Sequence, residues 1–459
     1  MTSSVTFLGG VRTVTGSKFL IETARSRVVV DCGLFQGLRD LRARNWEPFP
    51  IAPASIDAVV LTHAHLDHTG AVPLLVRDGY RGRVHATADT VALAAILLPD
   101  SGHLQEEDAE HANHRGSSKH HPALPLYTEE DALRSLDSLQ PAEFGVPVDV
   151  AEDVSVAFHV AGHILGSATV EVRTPSATLH FSGDLGRPAH HPLLTAPAPL
   201  PAADVLLLES TYGDRIHEQH DATVAQLGDA ITRTVRRGGS VVIPAFAVDR
   251  TEVVLAALNT LRASGAIPEL PVHVDSPMAL RALRVYRDAL VRRAVDIRPD
   301  AAADPFAALD LREAPRPEDS MALNDLAYPS IIVSASGMAS GGRVLHHLER
   351  RLPDHRSTIV LAGFQAAGTR GRMLADGARA VKLYGRYVPV HAEVVALAGL
   401  SSHADRDELL AWCATAPTPP GAVFVVHGEE SASASLAADL SARFDVLAVV
   451  PRMGERVLA

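Results

Sequence analysis

The sequence predicts an α/β layered sandwich interrupted by a second, parallel α/β domain. Three observations lead there. A strand-like run, Ile56-Asp57-Ala58-Val59-Val60, feeds a histidine-rich loop and then a helical stretch to Arg77, the start of a layered α/β fold. From about Ala222 the chain alternates helix and strand with the rhythm of a parallel sheet. Histidine then returns at strand ends in Ser401-Ser402-His403-Ala404-Asp405 and Val425-Val426-His427-Gly428-Glu429. If these reach the first loop's centre, the tail folds back and the middle is an insertion.

With 459 residues the chain is long enough for two or three buried cores. Apolar residues at 47% and charged residues at 21% place it among soluble globular proteins. The first residues lack a basic flank and an apolar signal core, and no apolar run is long enough to span a bilayer. A cytoplasmic location and no membrane partner are therefore expected. Cys32 and Cys413 form no disulfide framework and no CxxC pair, so any metal must be held by nitrogen and oxygen. A net charge of −12 argues against a broadly basic, nucleic-acid-coating surface but leaves room for a local groove.

In order along the chain, Val5 to Leu8, Phe19 to Glu22 and Val28 to Asp31 read as short strands between turn signals. Asp31 closes a buried strand and is read as orienting a ligating histidine from behind, with a turn cap as the alternative. Thr87 to Leu98 reads as a helix. Gly102 to Tyr127 reads as a solvated polar excursion, because His103, His111, His114, His120 and His121 match no metal spacing. Thr128 to Leu139 carries a helix start. Val154 to Val160 and Thr178 to Phe181 are strands that deliver His163 and Asp184 at glycine-flanked turns, where missing side chains leave backbone room. Pro188 to Ala203 is a connector, and Asp204 to Leu208 is a buried strand ending at Glu209. Helices are expected over Ala222–Arg236, Arg250–Ser264, Ala279–Ala294 and Val344–Arg351. They alternate with strands over Ser240–Pro244, Val272–Val274, Ser330–Val333 and Thr358–Leu361. Val388 to Ala396 and Gly421 to His427 are strands flanking a helix over Asp405–Ala414. The expected domains are 1–203, an insertion over 204–386, and a return segment over 387–459.

The chemistry is densest in Leu61-Thr62-His63-Ala64-His65-Leu66-Asp67-His68-Thr69-Gly70. Imidazole and carboxylate at a strand end are ligands for zinc. Extended backbone puts His63 and His65 on one side, while Asp67 and His68 begin the next segment and point elsewhere. Two metal half-sites are the expected result.

These residues resemble the metallo-β-lactamase superfamily and, within it, the β-CASP nucleases, over nearly the whole chain. Asp31 matches the first motif, His63 to His68 the second, His163 the third and Asp184 the fourth, while Glu209, His403 and His427 match motifs A, B and C. Further likeness lies in Asp31-Cys32-Gly33-Leu34-Phe35-Gln36-Gly37, Ser334-Ala335-Ser336-Gly337-Met338, Gly363-Phe364-Gln365 and Tyr384-Gly385-Arg386. Asp249-Arg250-Thr251-Glu252-Val253 departs from the pattern, since relatives more often carry Gly-Arg-Thr-Gln-Glu.

The resemblance implies an αββα sandwich with an inserted parallel α/β domain. It implies a two-zinc ribonuclease, expected to be endonucleolytic, that cleaves RNA by a metal-activated hydroxide. His63, His65 and His163 are assigned to one Zn2+, Asp67, His68 and His427 to the second, and Asp184 to both. Asp67 also orients the hydroxide. His403, held by Glu209, serves the scissile phosphate or the leaving 3′ oxygen. Single-stranded RNA is expected in a groove between domains, on Arg250, Ser336, Gly337, Met338, Arg343, Gln365 and Lys382, with Arg370, Arg372 and Arg386 adding charge. Phe364 either stacks on a base or fills the core. By analogy alone the family also implies a homodimer. The competing readings are a non-catalytic RNA-binding subunit and a small-molecule lactone or thioester hydrolase. The full ligand set speaks against the first, and the insertion, with His403 and His427, against the second.

Overall fold

Alternation of apolar residues assigns each strand's two faces to different layers, as the run Arg27–Val30 shows. Val28 and Val30 enter the core between two sheets, while Val29 enters the core beneath the helices that cover the first sheet. The computed structural model describes residues 2–115, 120–188, 191–326 and 328–459. The predicted polar excursion and the Pro/Ala-rich connector thus each contain positions outside the described residues, 116–119 and 189–190.

The chain divides into two compact units, one of residues 1–189, 194–216 and 403–459, the other of 190–193 and 217–402. The first unit holds two seven-stranded sheets. One runs in the order Arg456–Leu458, Ser4–Phe7, Phe19–Glu22, Arg27–Val30, Ala58–Val60, Arg83–Thr87, Leu139–Ala142. The other runs Leu447–Val449, Ala422–Val426, Val205–Glu209, Thr178–Phe181, Ala168–Arg173, Val154–Val160, Val148–Ala151. Phe7, Phe19, Phe158, Phe181 and Phe424 fill the space between them. Val72–Arg77, Ala88–Arg115 and Glu129–Leu136 cover one outer face, and Arg406–Cys413 and Glu430–Phe444 the other. This is the four-layer sandwich expected.

The second unit is a six-stranded, wholly parallel sheet ordered Asp310–Glu313, Pro271–Asp275, Ile331–Ser334, Val241–Pro244, Thr358–Ala362, Glu393–Leu397. A two-stranded hairpin, Ala380–Leu383 with Arg386–Pro389, completes it. No helix among the described residues is long and apolar enough to cross a membrane.

Several elements went unread in the sequence, among them the strands Ala168–Arg173 and Asp310–Glu313 and the helix Glu430–Phe444, and three further differences have an evident physical reason. The helix begun near Thr87 runs on as Ala88–Arg115, through Pro99. Past the proline, the stretch Leu104 to Ala109 is rich in good helix formers, which carry the helix on despite the lost hydrogen bond. His103, His111 and His114 therefore sit on a helix rather than in a loop, with His103 Nε2 3.4 Å from Glu107. Val388 to Ala396 is two strands in different sheets, because the hairpin strand ends at Pro389, which has no N–H to extend a ladder. The compact division falls at Ile216 and Ser402, downstream of residues 204 and 386. At the first of these, Val205–Glu209 pairs with strands of the first unit on both edges; at the second, Glu393–Leu397 pairs with Thr358–Ala362 in the second unit.

Candidate metal centre

The parallel strands of the first unit all end at one edge of the sandwich, and the polar residues stand just past those ends. Asp31 follows Arg27–Val30, His63 follows Ala58–Val60, His163 follows Val154–Val160 and Asp184 follows Thr178–Phe181. Glu209 ends Val205–Glu209, and His427 follows Ala422–Val426. Open space at the carboxyl ends of such strands is where α/β folds place their ligands. Two glycines permit the close approach. A Cβ on Gly33 would lie 1.6 Å from the Asp67 carbonyl oxygen, and Gly162, at a φ of +65°, lets the chain turn into His163.

The ligand atoms converge in three overlapping sets, His63/His65/His163/Asp184, Asp67/His68/His427 and Asp184/Glu209/His403, each within 4.8 Å. In the first, Nε2 of His63 is 3.1 Å from Nδ1 of His65, which is 3.4 Å from Nε2 of His163. Asp184 Oδ2 lies 3.5 Å from His63 and 3.7 Å from His163. In the second, the other oxygen of Asp184 lies 3.4 Å from His68 Nε2 and 3.5 Å from His427 Nε2, while Asp67 Oδ2 is 3.9 Å from His427. Most of these separations are long for hydrogen bonds. They suit ligands of one tetrahedral ion, which lie about 3.3 Å apart when each bond is about 2.0 to 2.1 Å.

The opposite ring nitrogens are held from behind. His68 Nδ1 donates to Asp31 Oδ2 at 2.7 Å, and His63 Nδ1 is 3.1 Å from Thr62 Oγ1, which donates to both oxygens of Asp31 at 3.1 and 3.0 Å. Ser17 Oγ lies 2.8 Å from Nδ1 of His427. For His68 and His63 the acceptor Asp31 sets the tautomer so that Nε2 presents its lone pair to Asp184's side of the site, and Ser17 can accept from Nδ1 of His427 to the same effect. His68 Nε2 and Asp184 Oδ1 are both buried yet make no hydrogen bond among the described residues. The donor set therefore fits a metal.

Electrostatics agree. Burial, and then the charge of His68, hold His63 well below the ordinary imidazole value; burial likewise lowers His65 and takes His427 down to about 4. Neutral imidazole is the ligating form. Burial opposes charge on Asp184 too, but His427, His68 and His63 hold it well below the usual carboxylate range. At His68 burial is outweighed by Asp184 and Asp31, which raise it well above its ordinary value. Two carboxylates thus draw positive charge to this spot, from a proton on His68 or from a cation.

His403 stands at the rim. Its Nδ1 donates to Glu209 Oε2 at 3.2 Å and is 3.9 Å from Asp184 Oδ2. Glu209 is fully buried and anchored by the Leu185 N–H to Oε1 at 2.6 Å, while its own N–H donates to Ser182 Oγ at 2.9 Å. The structure thus gathers His63, His65, Asp67, His68, His163, Asp184, Glu209, His403 and His427 in one centre with Asp31 behind them. Sequence reading gave no role to Ser17 or Thr62. Thr62 abuts His63 in the chain, a usable signal; Ser17 is visible only in space.

The predicted substrate residues all lie in the second unit. Arg250 is buried at the start of Arg250–Ala263. Ser336, Gly337 and Met338 form a loop tied down by Gln365 Nε2 to the Gly337 carbonyl at 3.2 Å and by the Gly371 N–H to the Met338 carbonyl at 3.0 Å. Arg343 turns inward to Asp275 and to the carbonyls of Ala314 and Pro315. Phe364 is half-buried, and Lys382 is exposed on the hairpin. Arg372 and Arg386 are paired with Asp376 and Glu349, and Arg370 donates to backbone carbonyls of Ala339, Ser340 and Lys382.

The four-layer sandwich and its centre of imidazoles around a shared carboxylate define a metal-dependent hydrolase. The chain belongs to the metallo-beta-lactamase superfamily, whose family model matches residues 12–245, and carries a Beta-Casp domain over 251–374. Residues 387–451 match a Zn-dependent metallo-hydrolase RNA specificity domain. The chain is similar to Ribonuclease TTHA0252 of Thermus thermophilus, 39% identical over 366 residues that cover 79% of each chain. It is also similar to an RNase J-like protein of Methanocaldococcus jannaschii, 29% identical over 81% of this chain and 80% of that one. Transcription termination factor FttA of Methanosarcina mazei is 32% identical over 81% of this chain but only 57% of its own length. A crystal structure of a protein of unknown function from Enterococcus faecalis shares the fold, with TM-score 0.55 at 15% identity over the whole of both chains.

Proposed function

We propose that the chain is a zinc-dependent ribonuclease of the cytoplasm that cleaves single-stranded RNA endonucleolytically, with two zinc ions in the centre. The observation that carries this reading is the division of Asp184, one oxygen toward His63 and His163 and the other toward His68 and His427. When bound, a pair of divalent ions would supply an activated nucleophile and charge stabilisation for displacement at phosphorus. In this reading His63, His65 and His163 hold one ion, Asp67, His68 and His427 hold the other, and Asp184 serves both. A thiolate-free set of nitrogen and oxygen donors suits zinc. RNA as substrate draws support from the name of the ribonuclease relative and from the RNA specificity domain match.

The remaining steps belong to protein side chains. Asp67 orients the attacking water. Glu209 engages Nδ1 of His403, which leaves proton delivery to the departing 3′ oxygen to Nε2. Backbone N–H groups of the loop through Ser336, Gly337 and Met338, with Lys382 and Arg250, bind the strand, and Phe364 stacks on a base. Gln365 acts by holding that loop in place, and Arg343, which follows the loop in the chain, meets the strand's phosphates.

The test is incubation of purified protein with end-labelled RNA, with and without chelator, reading fragment lengths. Internal fragments that vanish with chelator and return with added zinc are expected. Intact RNA with metal-replete protein would overturn the ribonuclease reading, and release of single nucleotides from one end would overturn the endonucleolytic mode.

A further inference from the structure

The segment that leaves the metal centre after Asp31 carries a surface the mechanism above does not use. It starts at the centre: the Cys32 N–H donates to the His68 carbonyl at 2.7 Å, and the Leu34 N–H to that of Leu66 at 2.8 Å. It stays tied on, since the Gln36 N–H reaches Thr15 Oγ1 at 3.2 Å and the Asn45 side chain clasps both backbone polar groups of Phe35 at 2.8 Å. Beside these ties lie the short helix Arg39–Ala43 and the turn Arg44–Trp46, neither of which buries any residue.

Trp46 is 60% exposed and Leu38 49%. Trp412, the other tryptophan, is only 6% exposed and donates its indole N–H to the Ala198 carbonyl. The indole stays in water although its chain neighbour Asn45 is tied to Phe35, so its ring face is held at the surface and open to stacking. Around it Arg39, Arg42 and Arg44 are exposed and form no ion pair among the described residues, although Asp40 and Glu47 stand in the same stretch. Many other surface arginines are paired, such as Arg25 with Glu152 and Arg316 with Asp319. Arg44 also lies 5.8 Å from the Phe35 ring, whose face takes Lys18 Nζ at 4.6 Å. In a chain of net charge −12, available cations beside a bare aromatic ring are complementary to a flexible polyanion with stackable groups.

We propose that the strap from Leu38 to Trp46 is a contact for single-stranded RNA, with Trp46 stacked on a base and Arg39, Arg42 and Arg44 on neighbouring phosphates. This rests on the ribonuclease reading and extends it to a surface of the metal-binding unit. A protein partner is the weaker fit, because an interface core needs contiguous apolar area and the strap offers only Leu38 beside the indole.

The test is titration of the full chain, in the His403→Ala background so that the ligand survives, with a short oligouridylate. Tryptophan fluorescence is expected to quench on binding, since Trp46 is the accessible indole. Trp46→Ala should abolish the quench and weaken binding about fivefold or more. Replacing Arg39, Arg42 and Arg44 with Gln should flatten the slope of log affinity against log salt by about 2, because each phosphate neutralised on a single strand adds about 0.7 to that slope. Hydrolysis of bis-nitrophenyl phosphate by protein with native His403 should be unchanged by either set, since so small a diester does not reach the strap. If the small diester is cleaved and RNA binds, but neither set alters affinity, quench or slope, the strap proposal is overturned and the ribonuclease reading stands. The strap proposal falls equally if the variants change only the sedimentation of the protein, which would make the strap a protein contact. Failure of the parent protein to bind RNA overturns both.

Discussion

The two units each bury a carboxylate among histidines, and the two carboxylates are treated in opposite ways. In the second unit Asp275 is saturated with donors. His347 Nε2 and Ser320 Oγ reach Oδ2 at 2.6 Å, and Arg343 reaches Oδ1 at 2.9 Å. His347 is itself satisfied by Asn324 at 3.1 Å through Nδ1. In the first unit Asp184 is ringed by imidazoles at 3.4 to 3.9 Å, and its Oδ1 makes no hydrogen bond among the described residues. A completed network closes on itself and serves the fold, whereas convergent donors spaced for a shared partner serve a ligand. Both carboxylates are buried and meet histidine; what separates them is spacing, saturation and the arginine and serine that complete the shell of Asp275.

The contrast breaks first at the two aspartates. Asp184→Ala is expected to empty the site of metal and lower RNA cleavage by at least about a thousandfold, read by elemental analysis and by the labelled-RNA assay. Asp275→Ala should retain full metal content and instead lower stability by about 3 to 5 kcal/mol, because Arg343 and His347 lose their buried counterpart. Metal loss in the Asp275 variant would erase the distinction. Next in size is His403→Ala, expected to keep its metal and lose about 10²- to 10⁴-fold in turnover; undiminished cleavage by a metal-replete variant would remove His403 from the chemistry.

A smaller effect sharpens the role of the groups behind the ligands. Ser17→Ala leaves His427 Nδ1 without its 2.8 Å partner and should weaken metal affinity about 10- to 100-fold in competition with a chelator. The smallest effect asks whether lack of saturation alone marks a site. Glu252 of the second unit is fully buried, and neither oxygen makes a hydrogen bond among the described residues. Burial, then the charge of Asp249, push it well above the usual carboxylate range against the pull of nearby backbone N–H groups. The folded chain keeps a proton that the unfolded chain releases above about pH 4.3, so the stability it lends is full below that pH and lost as pH rises toward the folded value. Glu252→Gln should therefore raise the melting temperature by a few degrees at neutral pH, at about 2 to 4 °C per kcal/mol, with the gain fading toward pH 4. Thermal melts at the two pH values check it, and a loss of metal in this variant would count against a purely structural Glu252.

How much was legible depended on whether a signal was contiguous. His63, His65, Asp67 and His68 announce themselves within six positions, and the strand-end placement of His163, Asp184 and His427 follows from apolar runs that stop at glycine-flanked or polar turns. The parallel sheet of the second unit was readable because its helices and strands alternate with clear periodicity. Ser17 was not, because its 2.8 Å contact spans 410 positions of chain. The continuation of Ala88–Arg115 past Pro99 was hidden by a residue that usually ends helices, and the break after Pro389 by an apolar run that looks like one strand. The inward turn of Arg343 toward Asp275 shows the same limit, since a guanidinium's direction is decided by neighbours that sequence does not place.

The division of Asp184 has an evolutionary corollary. In the proposed assignment one side chain is common to both ion positions, so Asp184→Asn, which turns one oxygen into an amide nitrogen and removes the charge felt at both, weakens the two together while leaving shape and packing nearly intact. A lineage of such proteins stands one codon change away from a folded binder that no longer cuts, and position 184 is where comparison of paralogues would first betray that passage.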